Sequence, residues 1–181
     1  MNHANAQGTK HGSLNMKSSI ADKILAIMKL SLSDIVLDVG SGDGYYASRF
    51  SQQCGNVIAI DAYCEGLKSA FYSRANIVTV CSDACEWLHD AALEQITHVY
   101  FSNSFHDIAC QKDFLSVLSR KLPHHAHLDM IEFYPDTPFG PPKSIRFSRE
   151  SLKSLVESFG FRESAFADLQ THYFISFETI R

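Results

Sequence analysis

Between Asp38 and Gly44 the chain reads Asp-Val-Gly-Ser-Gly-Asp-Gly, with glycines at alternate positions and an acid before and among them. Glycine reaches backbone angles closed to other residues and lets a ligand approach the main chain. A helix that starts just after such a turn offers unpaired N–H groups. By itself the motif is a Gly-rich turn and no more. Two details sharpen it. The spacing is G-x-G-x-G, not the G-x-G-x-x-G of a dinucleotide pyrophosphate loop. Asp38 and Asp43 repel a pyrophosphate and suit an ammonium or a sulfonium. A ligand with an amino-acid end and positive charge fits better than a nicotinamide dinucleotide.

Further polar residues stand at the ends of apolar runs. Asp61, followed by Ala62, lies about 20 residues beyond Gly40, where a carboxylate can accept from both hydroxyls of a ribose. Read alone, it is a solvated acid at a strand end. Asp83, before Ala84, can meet an adenine amino group or cap the next helix. After the fourth apolar run stands Ser-Asn-Ser-Phe-His-Asp, with Asn103, His106 and Asp107. An imidazole titrates near neutral pH, so His106 suits proton removal from an acceptor, with Asp107 orienting it. The alternatives are that His106 packs at a ligand's edge and that Asp107 caps a helix.

These residues need strands to end where they stand. Short apolar runs at Ile35–Val39, Val57–Ile60, Asn76–Val80, Ile96–Phe101 and Leu128–Phe133 read as strands buried on both faces. Helices are expected between them: 18–30, 45–54, around Leu67–Phe71, near Glu86–Ala92, and a stripe through Phe114, Val117 and Leu118 that stops at Pro123. Ser148 caps a last helix carrying Leu152, Leu155, Val156 and Phe159, ended by Gly160. Arg162–Leu169 and His172–Thr179 read as an antiparallel pair joined by Gln170-Thr171. Alternating strand and helix builds a mostly parallel α/β sheet covered on both faces, with ligands beyond the C-terminal strand ends.

The runs VLDVGSGDGYY, IAIDAY and CSDA resemble the first three motifs of the class I S-adenosylmethionine-dependent methyltransferases, and the likeness runs from about Ile35 to the C-terminus. The resemblance implies a Rossmann-like, seven-stranded sheet with an antiparallel last strand. It implies S-adenosylmethionine as cofactor and S-adenosylhomocysteine as product. Gly40, Ser41, Gly42 and Gly44 would line the methionine portion, beside Asp38. Asp61 and Ala62 would hold the ribose, and Asp83 and Ala84 would meet the adenine. Asn103 lies in the segment that passes beneath the methionine end and faces the acceptor. Of Tyr45 and Tyr46, one is expected over the cofactor and the other in the core; Tyr45 is taken as the covering residue. The Asn-Ser-Phe-His-Asp segment and the stretch from Asp136 to Phe147 look like small-molecule methyltransferases of the ubiquinone/menaquinone-biosynthesis type. Tyr134 and Arg146 are candidate acceptor contacts, each with an equally simple packing or surface reading.

Length and charge narrow the classes. The chain has 181 residues, net charge −4 and 45% hydrophobic residues. That excludes a disordered chain and disfavours a phosphate-binding partner such as nucleic acid. No run is long enough for a transmembrane helix, so no membrane is expected. Residues 1–15 read as a flexible tail, 16–34 as an N-terminal helical segment and 35–181 as the catalytic core of a single domain. Five scattered cysteines and no signal-peptide layout suggest free thiols and a cytoplasmic protein. His124, His125 and His127 lack matching metal-ligand spacing and read as a solvated turn, so no metal is expected. The expected activity is methyl transfer to a small-molecule acceptor. The alternatives are a non-catalytic S-adenosylmethionine-binding regulatory module and an NAD-linked oxidoreductase. The sequence leaves the oligomeric state open.

Overall fold

The structure, a computed structural model, describes residues 6–180, and side chains from Lys17 onward. The apolar runs form strands β1 (Ile35–Val39), β2 (Asn56–Asp61), β3 (Ile77–Cys81), β4 (His98–Ser102), β5 (His127–Phe133), β6 (Phe161–Asp168) and β7 (His172–Thr179). They make one seven-stranded sheet in the order β3-β2-β1-β4-β5-β7-β6. The strands β1 to β5 pair in parallel, and β7 runs antiparallel to both β5 and β6. This is the expected Rossmann-like arrangement.

Successive residues of a strand face opposite sides, and β1 divides its side chains between two cores. Val36 packs with Ile24, Leu25, Ala47 and Phe50 of helices α1 (Ala6–Met28) and α2 (Tyr45–Phe50). Leu37 and Val39 pack on the other face. There the cover is Leu88 of α3 (Ala84–Asp90), Phe114 and Leu118 of α4 (Gln111–Lys121), and Leu152 of α5 (Arg149–Glu157). Each fully buried phenylalanine, Phe50 and Phe114 among them, contributes about 1.5–3 kcal/mol.

Strand boundaries differ from expectation by one or two residues, and four helical segments differ in kind or extent. The helix α1 begins at Ala6, so residues 6–15, expected as a flexible tail, are helical; residues 1–5 lie outside the described residues. Extending a docked helix is easier than nucleating one, and local polarity does not report that. The helix α2 stops at Phe50, short of Cys54. The helix expected around Leu67–Phe71 is instead two 3₁₀ turns, Gly66–Lys68 and Ala70–Tyr72, separated by Ser69 in an extended conformation. The helix α3 starts at Ala84, two residues early, because the Asp83 side chain accepts from the N–H groups of Cys85 and Glu86. Ser148 caps α5 as expected, accepting from Ser151 N–H.

The topology gathers the polar residues at one edge. β1, β2, β4 and β5 end there. β7 runs the opposite way, so its first residue, His172, pairs with the last residue of β5, Phe133. No helix among the described residues is long and apolar enough to cross a membrane.

Candidate functional site

The glycine loop follows β1. Gly40, Gly42 and Gly44 all have positive φ, but only two are crowded. A Cβ on Gly40 would lie 2.5 Å from Ser104 Cβ, and one on Gly44 would lie 2.5 Å from the Tyr72 ring. A Cβ on Gly42 would meet nothing within 4 Å. Gly42 is therefore the glycine of the loop that faces open space. Neighbouring side chains hold the loop in place. The Tyr72 hydroxyl lies 2.8 Å from Ser41 Oγ and 3.1 Å from Gly42 O, and Ser104 Oγ donates to Val39 O at 2.6 Å. Asp61 joins two loops: Gly42 N–H donates to one carboxylate oxygen at 2.8 Å and Tyr63 N–H to the other at 2.7 Å.

Charge around this loop favours a cation. Asp38 is fully buried beneath it, and its Oδ2 has no hydrogen-bond partner among the described residues. Burial first, then the charges of Asp61 and Asp43, push its carboxyl up to about 8 against one opposing hydrogen bond from the Ala47 backbone. An ammonium or sulfonium at the loop would relieve all three carboxyl groups.

A cleft crosses the sheet edge in two halves that share Gly40, Ser102 and Asn103. One half, about 330 Å³, is walled by Asp61, Ala62, Asp83, Ala84 and Asp107. The other, about 370 Å³, has Ser41, Gly42 and Asp43 on one wall. Lys17 and Ile20 of α1 close it, and Tyr46, Ile131, Leu169 and His172 complete it. Asn103 stands between the halves with φ 54°, and its buried Oδ1 is unpartnered among the described residues. An unpartnered buried acceptor at a cleft is free to meet a group that enters it. Gly44 and Asp38 lie behind the walls, where they shape the loop. Of the two alternatives for Asp83 the cap is realised, since Oδ1 accepts from the Cys85 and Glu86 N–H groups, and the residue also lines the cleft.

Other expected residues sit elsewhere. His106 is buried in a side hollow with Gln111, Ser144 and Arg146, not in either half of the cleft. Its Nδ1 is 2.7 Å from Glu132 Oε2, its N–H donates to Glu132 Oε1 at 3.3 Å, and its Nε2 is 3.6 Å from Asp107 Oδ2. Burial opposes the imidazolium, but the Glu132 hydrogen bond and charge, with Asp107, outweigh it and hold the pKa above the ordinary value. Its place outside the cleft, not its protonation, separates His106 from the expected proton-transfer role. Arg146 spends its guanidinium on carbonyls of its own loop, those of Pro135, Thr137, Phe139 and Pro141 at 2.6–3.2 Å. Tyr134 packs on Tyr173, with ring centroids 5.2 Å apart. Tyr45 carries Lys17 over its ring at 4.3 Å, while Tyr46 lines the cleft and also packs on Phe50 and Tyr100.

Three contributors escaped the sequence reading. Glu132 had a signal, an acid late in a largely apolar strand that also carries Asp129. Tyr72 had none. His172 becomes legible only once β7 is known to run backwards. The cysteines also differ from expectation. Cys64 pairs with Cys81 and Cys85 with Cys110, leaving Cys54 as the free, buried thiol. Partners 17 and 25 residues apart meet because strand ends converge at one edge. Among the described residues no group of three or more histidine, cysteine or acidic side chains is placed to hold a metal. His125 bonds Glu178, and His127 stacks on His98 at 4.9 Å, whose Nδ1 lies 2.7 Å from buried Asp129.

A glycine loop after the first strand, acids after the second and third, and a reversed seventh strand define a class I methyltransferase, whose methyl donor is S-adenosylmethionine. The chain belongs to the methyltransferase domain family, whose model matches residues 37–128. Solved structures carry the same fold. A S-adenosylmethionine-dependent methyltransferase from Aquifex aeolicus is 22% identical over 88% of this chain and 89% of its own, with a TM-score of 0.76. A Haloferax volcanii methyltransferase, solved with a methyltransferase activator, is 17% identical over 97% and 96%, with a TM-score of 0.77. The N-methyltransferase NodS from Bradyrhizobium japonicum, solved with S-adenosylhomocysteine, is 12% identical over 92% and 88%, with a TM-score of 0.70. No curated protein matches the chain in sequence.

Proposed function

We propose that this enzyme transfers the methyl group to a small-molecule acceptor, in the manner of the ubiquinone/menaquinone-biosynthesis type. The observation that carries this reading is the second half of the cleft. Beyond the glycine loop lies a cavity of about 370 Å³ with Ile20, Ile131 and Leu169 among its walls. Pockets of that size and mixed polarity take small molecules. The glycine-loop wall of this half serves the cofactor's methionine portion, but a purely cofactor-binding module would not need the Ile20, Ile131 and Leu169 side of it, and the acids of the loop disfavour NAD.

In this reading Gly40, Ser41 and Gly42 receive the methionine portion, with Gly44 setting the turn. Asp38 and Asp43 answer its ammonium, and Asn103 Oδ1 accepts a hydrogen bond between the halves. Asp61 and Ala62 hold the ribose, Asp83 and Ala84 the adenine. When bound, S-adenosylmethionine supplies an electrophilic methyl carbon on a positively charged sulfur. The protein's own work is alignment of the acceptor with that carbon, which removes most of the entropic barrier. His106 is a positioning residue. Its pair with Glu132 fixes the segment that carries Asn103 and Asp107 against β5.

Titration calorimetry and thermal shift with S-adenosylhomocysteine, with NAD as the control, test this reading. A ligand that binds only the folded protein raises its melting point, by about 2.7 kcal/mol of stabilisation at a hundredfold excess over Kd. S-adenosylhomocysteine is expected to stabilise and NAD to do nothing; stabilisation by NAD alone overturns the reading.

A further inference from the structure

Four of the five cysteines gather around one half of the cleft, the half of about 330 Å³. Three segments wall it: Asp61-Ala62 after β2, Ser82-Asp83-Ala84 after β3, and residues between Ser102 and Ile108 after β4. The two disulfides join these segments in series. Cys64, shortly after Asp61, pairs with Cys81, shortly before Asp83, with Cα atoms 5.1 Å apart. Cys85, next to Ala84, pairs with Cys110, just past Ile108, at 6.0 Å. Both separations are ordinary for a disulfide. The fifth cysteine, Cys54, stands before β2, at the opposite edge of the sheet. Burial, then the charge of Asp34, pushes its thiol up to about 11, so it stays protonated.

We propose that Cys64–Cys81 is a redox-modification site for a dithiol, and that its reduction loosens the ribose–adenine half of the cleft and releases the methyl donor. This rests on the placement of ribose and adenine beside Asp61 and Asp83, and adds a control to it.

Exposure picks the pair. Cys64 and Cys81 are both exposed, whereas Cys85 and Cys110 are half-buried. A thiolate must reach a sulfur to attack it, so exchange starts at Cys64–Cys81.

The strap that carries Cys64 connects this bond to the site. Ala62, Tyr63, Cys64 and Glu65 are all exposed, so packing holds them weakly. Yet their backbone reaches two cofactor-binding groups. Tyr63 N–H donates to Asp61, the same carboxylate that receives Gly42 N–H. Gly66 approaches the glycine loop so closely that a Cβ on it would stand 2.7 Å from Gly42 O. One strap therefore braces the ribose acid and the glycine loop together, and Cys81 on β3 is its covalent anchor. Released from Cys81, residues 62–65 are held by hydrogen bonds and by one exposed ion pair, Lys68 with Glu65 at 2.7 Å. Exposed pairs of that kind contribute little. The second disulfide has a different task. Cys85 N–H donates to Asp83 Oδ1 at 2.8 Å, so Cys85–Cys110 keeps the adenine acid against the segment after β4 when the first bond opens.

In the exchange, one thiolate of the dithiol attacks a sulfur of the pair. A mixed disulfide forms, the Cys64–Cys81 bond breaks, and the departing cysteine sulfur takes a proton. The second thiol of the reductant then attacks the mixed disulfide and frees the other cysteine. The protein gains two electrons and two protons, and the reductant leaves as its own disulfide.

The test uses the full chain prepared without reductant. Denatured, it should titrate one thiol, that of Cys54, and five after reduction; five thiols at the outset overturn the inference. In calorimetry the Kd for S-adenosylhomocysteine should weaken about tenfold after dithiothreitol and recover on reoxidation, with the far-ultraviolet circular dichroism unchanged. The Cys64→Ser/Cys81→Ser variant should bind like the reduced chain and ignore dithiothreitol, and Cys85→Ser/Cys110→Ser should still respond. A reciprocal readout needs no turnover. Saturating S-adenosylhomocysteine should raise, by the same factor as the change in Kd, the ratio of dithiothreitol to its oxidised form that half-reduces Cys64–Cys81. Equal or tighter binding after reduction overturns the inference. So does a response that survives in Cys64→Ser/Cys81→Ser or that Cys85→Ser/Cys110→Ser abolishes. Loss of the whole fold on reduction overturns it too, because the bond would then be a staple of the fold and not a gate. If neither redox state binds S-adenosylhomocysteine, the cofactor placement falls and the gate with it.

Discussion

The hollow around His106 and the cleft beside it occupy the same edge of one sheet, yet they handle a shielded histidine in opposite ways. His106 meets Glu132 through its ring and its backbone, with both side chains almost fully buried at 3% and 1% exposure. The carboxylate raises the histidine's pKa and takes its Nδ1 and its backbone N–H. His172 has a hydroxyl and an aromatic ring for company, and burial alone lowers its pKa. A partnered histidine stiffens the fold. His172, with no acid partner among the described residues, lines the cleft itself.

The strongest way to break this contrast is to remove the partner. Glu132→Ala leaves His106 buried without its counter-charge, and should cost about 3–5 kcal/mol in urea unfolding at pH 6. A cost below about 1 kcal/mol would mean that the pair does not hold the hollow together. Arg146→Ala tests the same region at lower stakes. Its charge-assisted bonds to the 135–141 carbonyls should be worth about 1.5–3 kcal/mol. S-adenosylhomocysteine affinity should stay within about twofold, because Arg146 does not line the cleft.

The cleft should respond the other way. Gly42→Ala is expected to lower S-adenosylhomocysteine affinity about tenfold or more by calorimetry, while costing about 1–2 kcal/mol of stability for its positive φ. Equal affinity in the variant would mean that the ligand lies elsewhere. The smallest effect is also the most direct comparison. His106 has a raised folded pKa, so its contribution to stability is complete below the unfolded value of 6.5 and is lost as pH rises through the folded value. His172 has a lowered folded pKa, so its contribution is complete above 6.5 and is lost as pH falls toward the folded value. The unfolding free energies of His106→Gln and His172→Gln, each subtracted from wild type and followed from pH 5 to 8, should slope in opposite directions by on the order of 1 kcal/mol. Parallel slopes would erase the distinction.

The places of the glycine loop, Asp61 and Asp83 at the cleft were legible from the chain because they are set locally: each stands at or just past the end of an apolar run. His106 was legible as a chemical residue but not in its task, since Glu132 lies on a different strand. Arg146 likewise looked available until its loop folded back around it. The two disulfides and the Tyr72 prop under the loop depend on segments far apart in sequence, and no periodicity reports such meetings.

By itself the sequence determined the order of strands and helices, the turn after β1 and the acids that suit a cationic donor. These follow from burial patterns and backbone freedom within a few residues. Tertiary structure alone decided which polar groups share a cavity. The reversal of β7 did most of this, for it brings His172, at the start of a late strand, to the edge where β1 and β5 end. A strand's direction in the sheet is set by what it pairs with, and that pairing is a property of the whole fold.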